Sequence, residues 1–143
     1  MITIRSEQQG ALPAISAIWL EGNCQAHPFI PSAYWLAKQA EVEQALPQAE
    51  LWLAEAAGEV VGFCGLQEDW LAGIFVRAAW RSQGVGKALL QQAKAKHRQL
   101  ALAVYAKNQR ALQFYLREGF QIQQEGVDEE TGEAEYHLVW SKG

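Results

Sequence analysis

The apolar run Ile74-Phe75-Val76 passes through Arg77 into Arg81-Ser82-Gln83-Gly84-Val85-Gly86-Lys87, and from there into a helical pattern that opens Ala88-Leu89-Leu90. No other stretch restricts the fold as much. A strand that turns through glycine directly into an amphipathic helix begins a right-handed crossover between parallel strands. Two glycines one residue apart at a helix start let the backbone bend sharply and approach a ligand closely. The first amides of the helix have no internal partner and lie at its positive end. Such a place holds an anion, most often a phosphate.

Two common owners of such a turn are excluded. In an ATP-binding loop the first glycine would fall at Arg81, and Ala88 stands where a magnesium-holding Ser or Thr belongs. In a dinucleotide-binding fingerprint Leu89 stands where the third Gly or Ala belongs. A plain strand–helix connection remains an alternative for the turn taken alone.

The chain of 143 residues reads as one domain, 1–143, half apolar and ample for a core. It has no apolar run long enough to span a membrane and no charged-then-apolar leader pattern, so a cytoplasmic protein without a membrane partner is expected. Cys24 and Cys64 then read as reduced thiols. The three His and two Cys show no ligand spacing, so no metal is expected. A net charge of −4 argues against nucleic-acid binding and suits a basic acceptor. Positive charge concentrates at Arg77, Arg81 and Lys87; acidic charge at Asp128-Glu129-Glu130 and Glu133-Glu135.

Periodicity predicts a strand over 3–6, a helix over 8–21 and a loop over 22–31. A second helix follows over 32–45, with Ser32 as N-cap and Pro47 as terminator. Strands are predicted over 50–56, 60–66 and 70–76, with a hairpin turn at Gly58. The glycine turn and its helix run to about His97. Leu100 to Val104 is an unbroken apolar run, as in a strand covered on both faces. A helix over 108–118 and a hairpin of 120–124 with 134–140 complete the order β-α-α-β-β-β-α-β-α-β-β.

After the fifth of these strands comes Asn108-Gln109-Arg110-Ala111-Leu112-Gln113-Phe114-Tyr115-Leu116-Arg117-Glu118-Gly119-Phe120. Together with Arg81-x-x-Gly84-x-Gly86, and in this order of elements, it resembles the GNAT superfamily of acetyl-CoA-dependent N-acetyltransferases over nearly the whole chain. The resemblance implies a single α/β domain: a mixed, mostly antiparallel sheet with a parallel, splayed central strand pair, flanked by helices on both faces. It extends to a subgroup of small bacterial members, marked by a His27-Pro28-Phe29-Ile30 loop, some of which acetylate protein lysines. The cosubstrate would be acetyl-CoA and the partner an amine acceptor, protein lysine or a small molecule, with the enzyme a monomer or homodimer. A small-amine acetyltransferase and a catalytically silent acyl-CoA-binding domain are the alternatives.

The expected cofactor contacts follow. The amides of Ser82, Gln83, Gly84, Val85, Gly86 and Lys87 could cradle the CoA pyrophosphate, with Arg77, Arg81 and Lys87 placed to add charge or else simply solvated. In this family the strand before the loop splays from the next, which implies that main-chain groups of Ile74 and Val76 pair with the pantetheine arm. Asn108 sits where the family uses an Asn near that arm; it is equally suited to capping the helix that begins there.

Amine attack on a thioester releases a thiolate that needs a proton, and a phenol can supply it. Tyr115 occupies the family's general-acid position; otherwise it is a helix aromatic packed on the sheet. A lysine-like amine must first lose a proton. Glu68 and Asp69 start the central strand, where family members often place a carboxylate or a water relay, and strand alternation allows one of them to face the cleft. Glu68 is the expected base, with exposed turn residues as the other reading of both. His27 competes for the role through its pKa range and otherwise shapes its loop. Trp70 and Phe29, with Tyr34 and Trp35, could wall the acceptor cleft.

Overall fold

The computed structural model describes residues 1–6 and 10–143. The order is β1 (Thr3–Ser6), α1 (Leu12–Ala26), α2 (Ser32–Ala45), β2 (Glu50–Ala56), β3 (Glu59–Gln67), β4 (Trp70–Val76), α3 (Val85–Lys96), β5 (Gln99–Tyr105), α4 (Gln109–Arg117), β6 (Gln121–Val127) and β7 (Ala134–Ser141). The strands form one seven-stranded sheet in the order β1-β2-β3-β4-β5-β7-β6. All neighbours are antiparallel except β4 and β5, which are parallel.

Strand alternation sorts the core onto both sheet faces. Along β2, Leu51 and Leu53 pack with Ile15, Ile18 and Phe63 under α1. Ala54 and Ala56 join the opposite cluster with Leu89, Leu90 and Leu112 of α3 and α4. The N-cap of α3, Gly84, offers no side-chain hydrogen bond, so α3 is held by burial. Leu89 and Leu90 are fully buried, and each contributes about 2 kcal/mol of transfer free energy.

The layout matches the expected one, and four local expectations change. The predicted start of the first helix at Gln8 lies outside the described residues. That helix continues past Glu21 to Ala26. Gly22 is helical because its bare face rests on the Phe75 ring, where a Cβ would come within 3.0 Å. Pro31, not Ser32, takes the N-cap place of α2, with φ −57° and ψ 137°, and Ser32 is the first helical residue. Glu68 and Asp69 form the β3–β4 turn instead of starting a strand, with Glu68 at φ +55°. β5 is covered on one face only: Leu100, Leu102 and Val104 are buried, while Ala103 is exposed.

Two irregularities in β4 set up the site. Between Gly65/Gly73 and Leu66/Leu71 the register with β3 slips, so Ala72 is an extra residue in β4. Toward β5, β4 pairs only through Trp70 with Ala101, supported by the Ala101 N–H donating to the Asp69 carbonyl at 3.0 Å. Past that point the two strands part. The groups of β4 that face β5 from Ala72 onward are left open to a ligand.

Candidate active site

A cleft of about 1160 Å³ runs through this gap. One end is the turn after β4. Ser82 and Gly84 adopt left-handed conformations, φ +61° and +85°, which turn the chain sharply into α3. The first helical bond of α3 runs from the Ala88 N–H to the Gly84 carbonyl at 3.0 Å, so the preceding amides have no helical acceptor. No neighbour lies within 4 Å of a Cβ built on Gly84, so this glycine is required by its φ and not by crowding. Unpaired amides at a helix start, an open gap beside them and lysine and arginine nearby suit a pyrophosphate with a long amide-bearing arm.

Ser82, Gly84, Val85, Gly86 and Lys87 line this end, as do Ile74 and Val76 of the opened strand. Gln83 does not; its side-chain amide donates to the Ala79 carbonyl at 3.1 Å. Arg81 lines the cleft, but its guanidinium is engaged elsewhere, donating to Gln25 Oε1 at the end of α1 and to the Val76 carbonyl. It therefore latches the turn to α1. Arg77 turns away and donates to the Val60 carbonyl at 2.9 Å.

A cation that the sequence reading missed sits opposite. Arg110 of α4 donates to Ser82 Oγ at 3.2 Å and lines the same cleft. Its signal was its place two residues after Asn108, in the first turn of a helix that faces the gap. Asn108 caps α4, accepting from the Ala111 N–H at 3.3 Å, and its Nδ2 donates to His27 Nε2 at 3.3 Å. The capping reading of Asn108 is thus met, and the residue also borders the cleft.

Tyr115 comes from α4, is 6% exposed and borders the cleft. Burial, then the nearby Cys64, holds its phenol well above the usual tyrosine range, so it is protonated. Its ring sits edge-on to Phe114 and Phe120 at 5.2 and 5.4 Å. Burial pushes the Cys64 thiol up to about 12, an inert thiol.

At the other end lie His27 and Phe29, both lining the cleft. His27 stacks on Trp35 at 5.3 Å and meets Tyr105 edge-on at 5.0 Å. Burial lowers its pKa to about 4, partly offset by the Asn23 backbone. A neutral ring whose Nε2 already accepts from Asn108 is a poor base.

The sheet face beyond α1 is uncovered. There a side pocket of about 450 Å³ opens over Ala103, walled by Trp70, 43% exposed, and by His137, with Asp128, Glu129 and Glu130 on its rim. Ala103, Asp128 and Glu135 border both this pocket and the main cleft, so the two adjoin. Trp70 thus walls the side pocket and not the main cleft.

Glu68 lines neither cavity. Its neighbour Asp69 is also taken: Asp69 and Glu50 flank His97 at 3.0 Å on Nδ1 and Nε2. The strand alternation that would aim one of the two acids into the cleft is absent, because both stand in a turn. No group of His, Cys, Asp and Glu able to hold a metal occurs among the described residues.

The chain resembles known proteins in sequence and in fold. The family profile described as Acetyltransferase (GNAT) domain matches residues 47–122, from β2 to the start of β6. The chain is 38% identical over 139 residues to the peptidyl-lysine N-acetyltransferase YiaC of Escherichia coli, covering 96% of this chain and 95% of that protein. It is 32% identical to the peptidyl-lysine N-acetyltransferase YjaB of Salmonella typhimurium, with 85% of each covered. The solution structure of apo YjaB from Escherichia coli superposes with a TM-score of 0.86 at 26% identity, over 100% of this chain and 99% of that one. The chain belongs to the GNAT acetyltransferase family, and it is an acetyl-CoA-dependent N-acetyltransferase.

Proposed function

We propose that this enzyme transfers the acetyl group of acetyl-CoA to the ε-amine of a protein lysine, by direct attack and without an acyl-enzyme. The observation that carries the acceptor class is the side pocket that adjoins the cleft. The anion-binding turn borders the main cleft, and an exposed tryptophan with four acidic residues lines the side pocket. An aromatic wall and negative rim suit a long aliphatic stem that ends in a cation. The relatives YiaC and YjaB are named for peptidyl-lysine acetylation.

In this reading the pyrophosphate rests on the 82–87 amides, with Lys87 and Arg110 supplying charge. The pantetheine arm pairs with main-chain groups of Ile74 and Val76. Asn108 holds the start of α4 against the arm. A backbone amide of β4 near the extra residue Ala72 polarises the thioester carbonyl. The neutral amine forms the C–N bond, the C–S bond breaks, and Tyr115 gives its proton to the departing thiolate. Tyrosine is then reprotonated from the new amide nitrogen.

The test is thiol release from acetyl-CoA with an acceptor panel: lysine peptides blocked at both termini, polyamines, free amino acids and an aminoglycoside. The expected result is CoA release matched by ε-acetyl-lysine on the peptides. Faster turnover of a small amine would replace the lysine assignment. Tight acetyl-CoA binding without thiol release on any acceptor would mark a silent acyl-CoA-binding domain.

A further inference from the structure

We infer that Glu135 of β7 is the general base that takes the proton of the incoming ammonium, an inference that rests on the acetyl-transfer reading above. Its placement comes from strand alternation. Tyr136, Leu138 and Trp140 pack on the α3–α4 side of the sheet, so Glu135 and His137 project from the other face, the one left open beyond α1. Glu135 stands opposite Tyr105 of β5 and Gly126 of β6, and it borders both cavities. An amine crossing from the side pocket toward the gap between β4 and β5 passes this carboxylate. Tyr115 enters the gap from the α4 side, so acid and base approach the reacting carbonyl from opposite faces.

The hydrogen bonding prepares Glu135 for that role. Gln124 donates to His137 Nδ1 at 3.3 Å, which leaves the ring proton on Nε2. His137 Nε2–H donates to Glu135 Oε2 at 2.6 Å. Glu135 Oε1 makes no hydrogen bond among the described residues. The side chain is 17% exposed, shielded enough to be fixed and open enough to pass a proton on. The other carboxylates of the cleft are occupied or remote. Asp128 accepts from the Tyr105 hydroxyl and the Glu130 N–H. Glu118 lies at the C-terminal end of α4, beside Lys94 of α3.

The protons balance. R–NH3⁺ gives one proton to Glu135, which returns it to solvent. The second leaves the amide nitrogen, restores Tyr115 and so ends on the CoA thiol. The titratable groups that face Glu135 are His137 on its own strand, Tyr105 on β5, and Asp128, Glu129 and Glu130 in the β6–β7 loop.

The experiment compares wild type, Glu135→Gln, Glu135→Asp and His137→Gln for acetyl-CoA affinity and for kcat/KM on a blocked lysine peptide, from about pH 6 to about pH 9. Glu135→Gln should lower turnover about 100-fold near neutral pH with acetyl-CoA affinity unchanged. It should recover toward wild type at high pH, where the amine loses its proton unaided. Glu135→Asp should restore part of the loss, and His137→Gln should cost about several-fold. Should Glu135→Gln stay within about two-fold of wild type across the range while both turn over, the Glu135 assignment is overturned and the acetyl-transfer reading stands. Should wild type itself release no thiol on any amine, both are overturned.

Discussion

Asn108 donates its side-chain amide to His27 Nε2 across 3.3 Å and so joins the first turn of α4 to the end of α1. The same side chain accepts from the Ala111 N–H and caps α4. One residue therefore sets two edges of the cleft, and the two bonds separate by substitution. Asn108→Ala loses the cap, worth about 1 kcal/mol, and strands a buried ring nitrogen at about 1 kcal/mol more. Its melting temperature should fall by about 5 °C. Asn108→Asp keeps the capping oxygen and loses the donor, so calorimetry should find about half that fall.

His27 predicts an acid sensitivity. It is 8% exposed, and burial brings its pKa to about 4, below the ordinary 6.5. The unfolded chain binds the proton first, so the stabilisation is complete above about pH 6.5 and is lost as pH falls toward about 4. The loss is on the order of 2–3 kcal/mol. Denaturant titrations of wild type and His27→Phe at several pH values should show the wild type weakening over that interval and the variant weakening less.

His97 predicts the opposite slope at the far end of β4. Burial alone would lower its pKa, but hydrogen bonds and charge from Asp69 and Glu50 raise it above the ordinary value. Donating from both ring nitrogens to two carboxylates requires the imidazolium. This contribution is complete below about pH 6.5 and fades as pH rises through the folded value. The pairs are partly exposed, so His97→Gln should cost only on the order of 0.5 kcal/mol at about pH 6. The difference from wild type should shrink at about pH 9.

Gly84 separates backbone strain from charge at the anion site. Its φ of +85° penalises any side chain, while the space around a Cβ is open. Gly84→Ala should cost about 1 kcal/mol in stability and leave most acetyl-CoA affinity. Gly84→Glu adds a carboxylate beside the amides and should weaken acetyl-CoA binding about 10- to 100-fold relative to Gly84→Ala. Isothermal titration with both variants checks this.

The glycine turn and the start of α4 were legible because backbone chemistry leaves a sequence trace. Gly84 is required by its φ, and Asn108 by a helix start. The acceptor half was not. Glu68 looked like a strand residue, but the extra residue Ala72 and the turn at 68–69 place β4's first residue at Trp70. Leu100 to Val104 read as covered on both faces because alanine is apolar, yet Ala103 floors an open pocket. Glu135 stands twenty residues after Tyr115 with no local motif, and only the β5–β7 register brings it to the cleft. Arg81 carries the motif but spends its charge on Gln25, while Arg110 reaches the turn from another helix.

In the proposed mechanism Tyr115 protonates the thiolate that departs as this cleft moves the acetyl group. The most direct measurement is thiol release from acetyl-CoA with a blocked lysine peptide, comparing wild type and Tyr115→Phe at matched cofactor saturation. The expected result is wild-type turnover, and a kcat lower by about 100-fold in Tyr115→Phe with unchanged acetyl-CoA affinity. Equal kcat for the two proteins would contradict it.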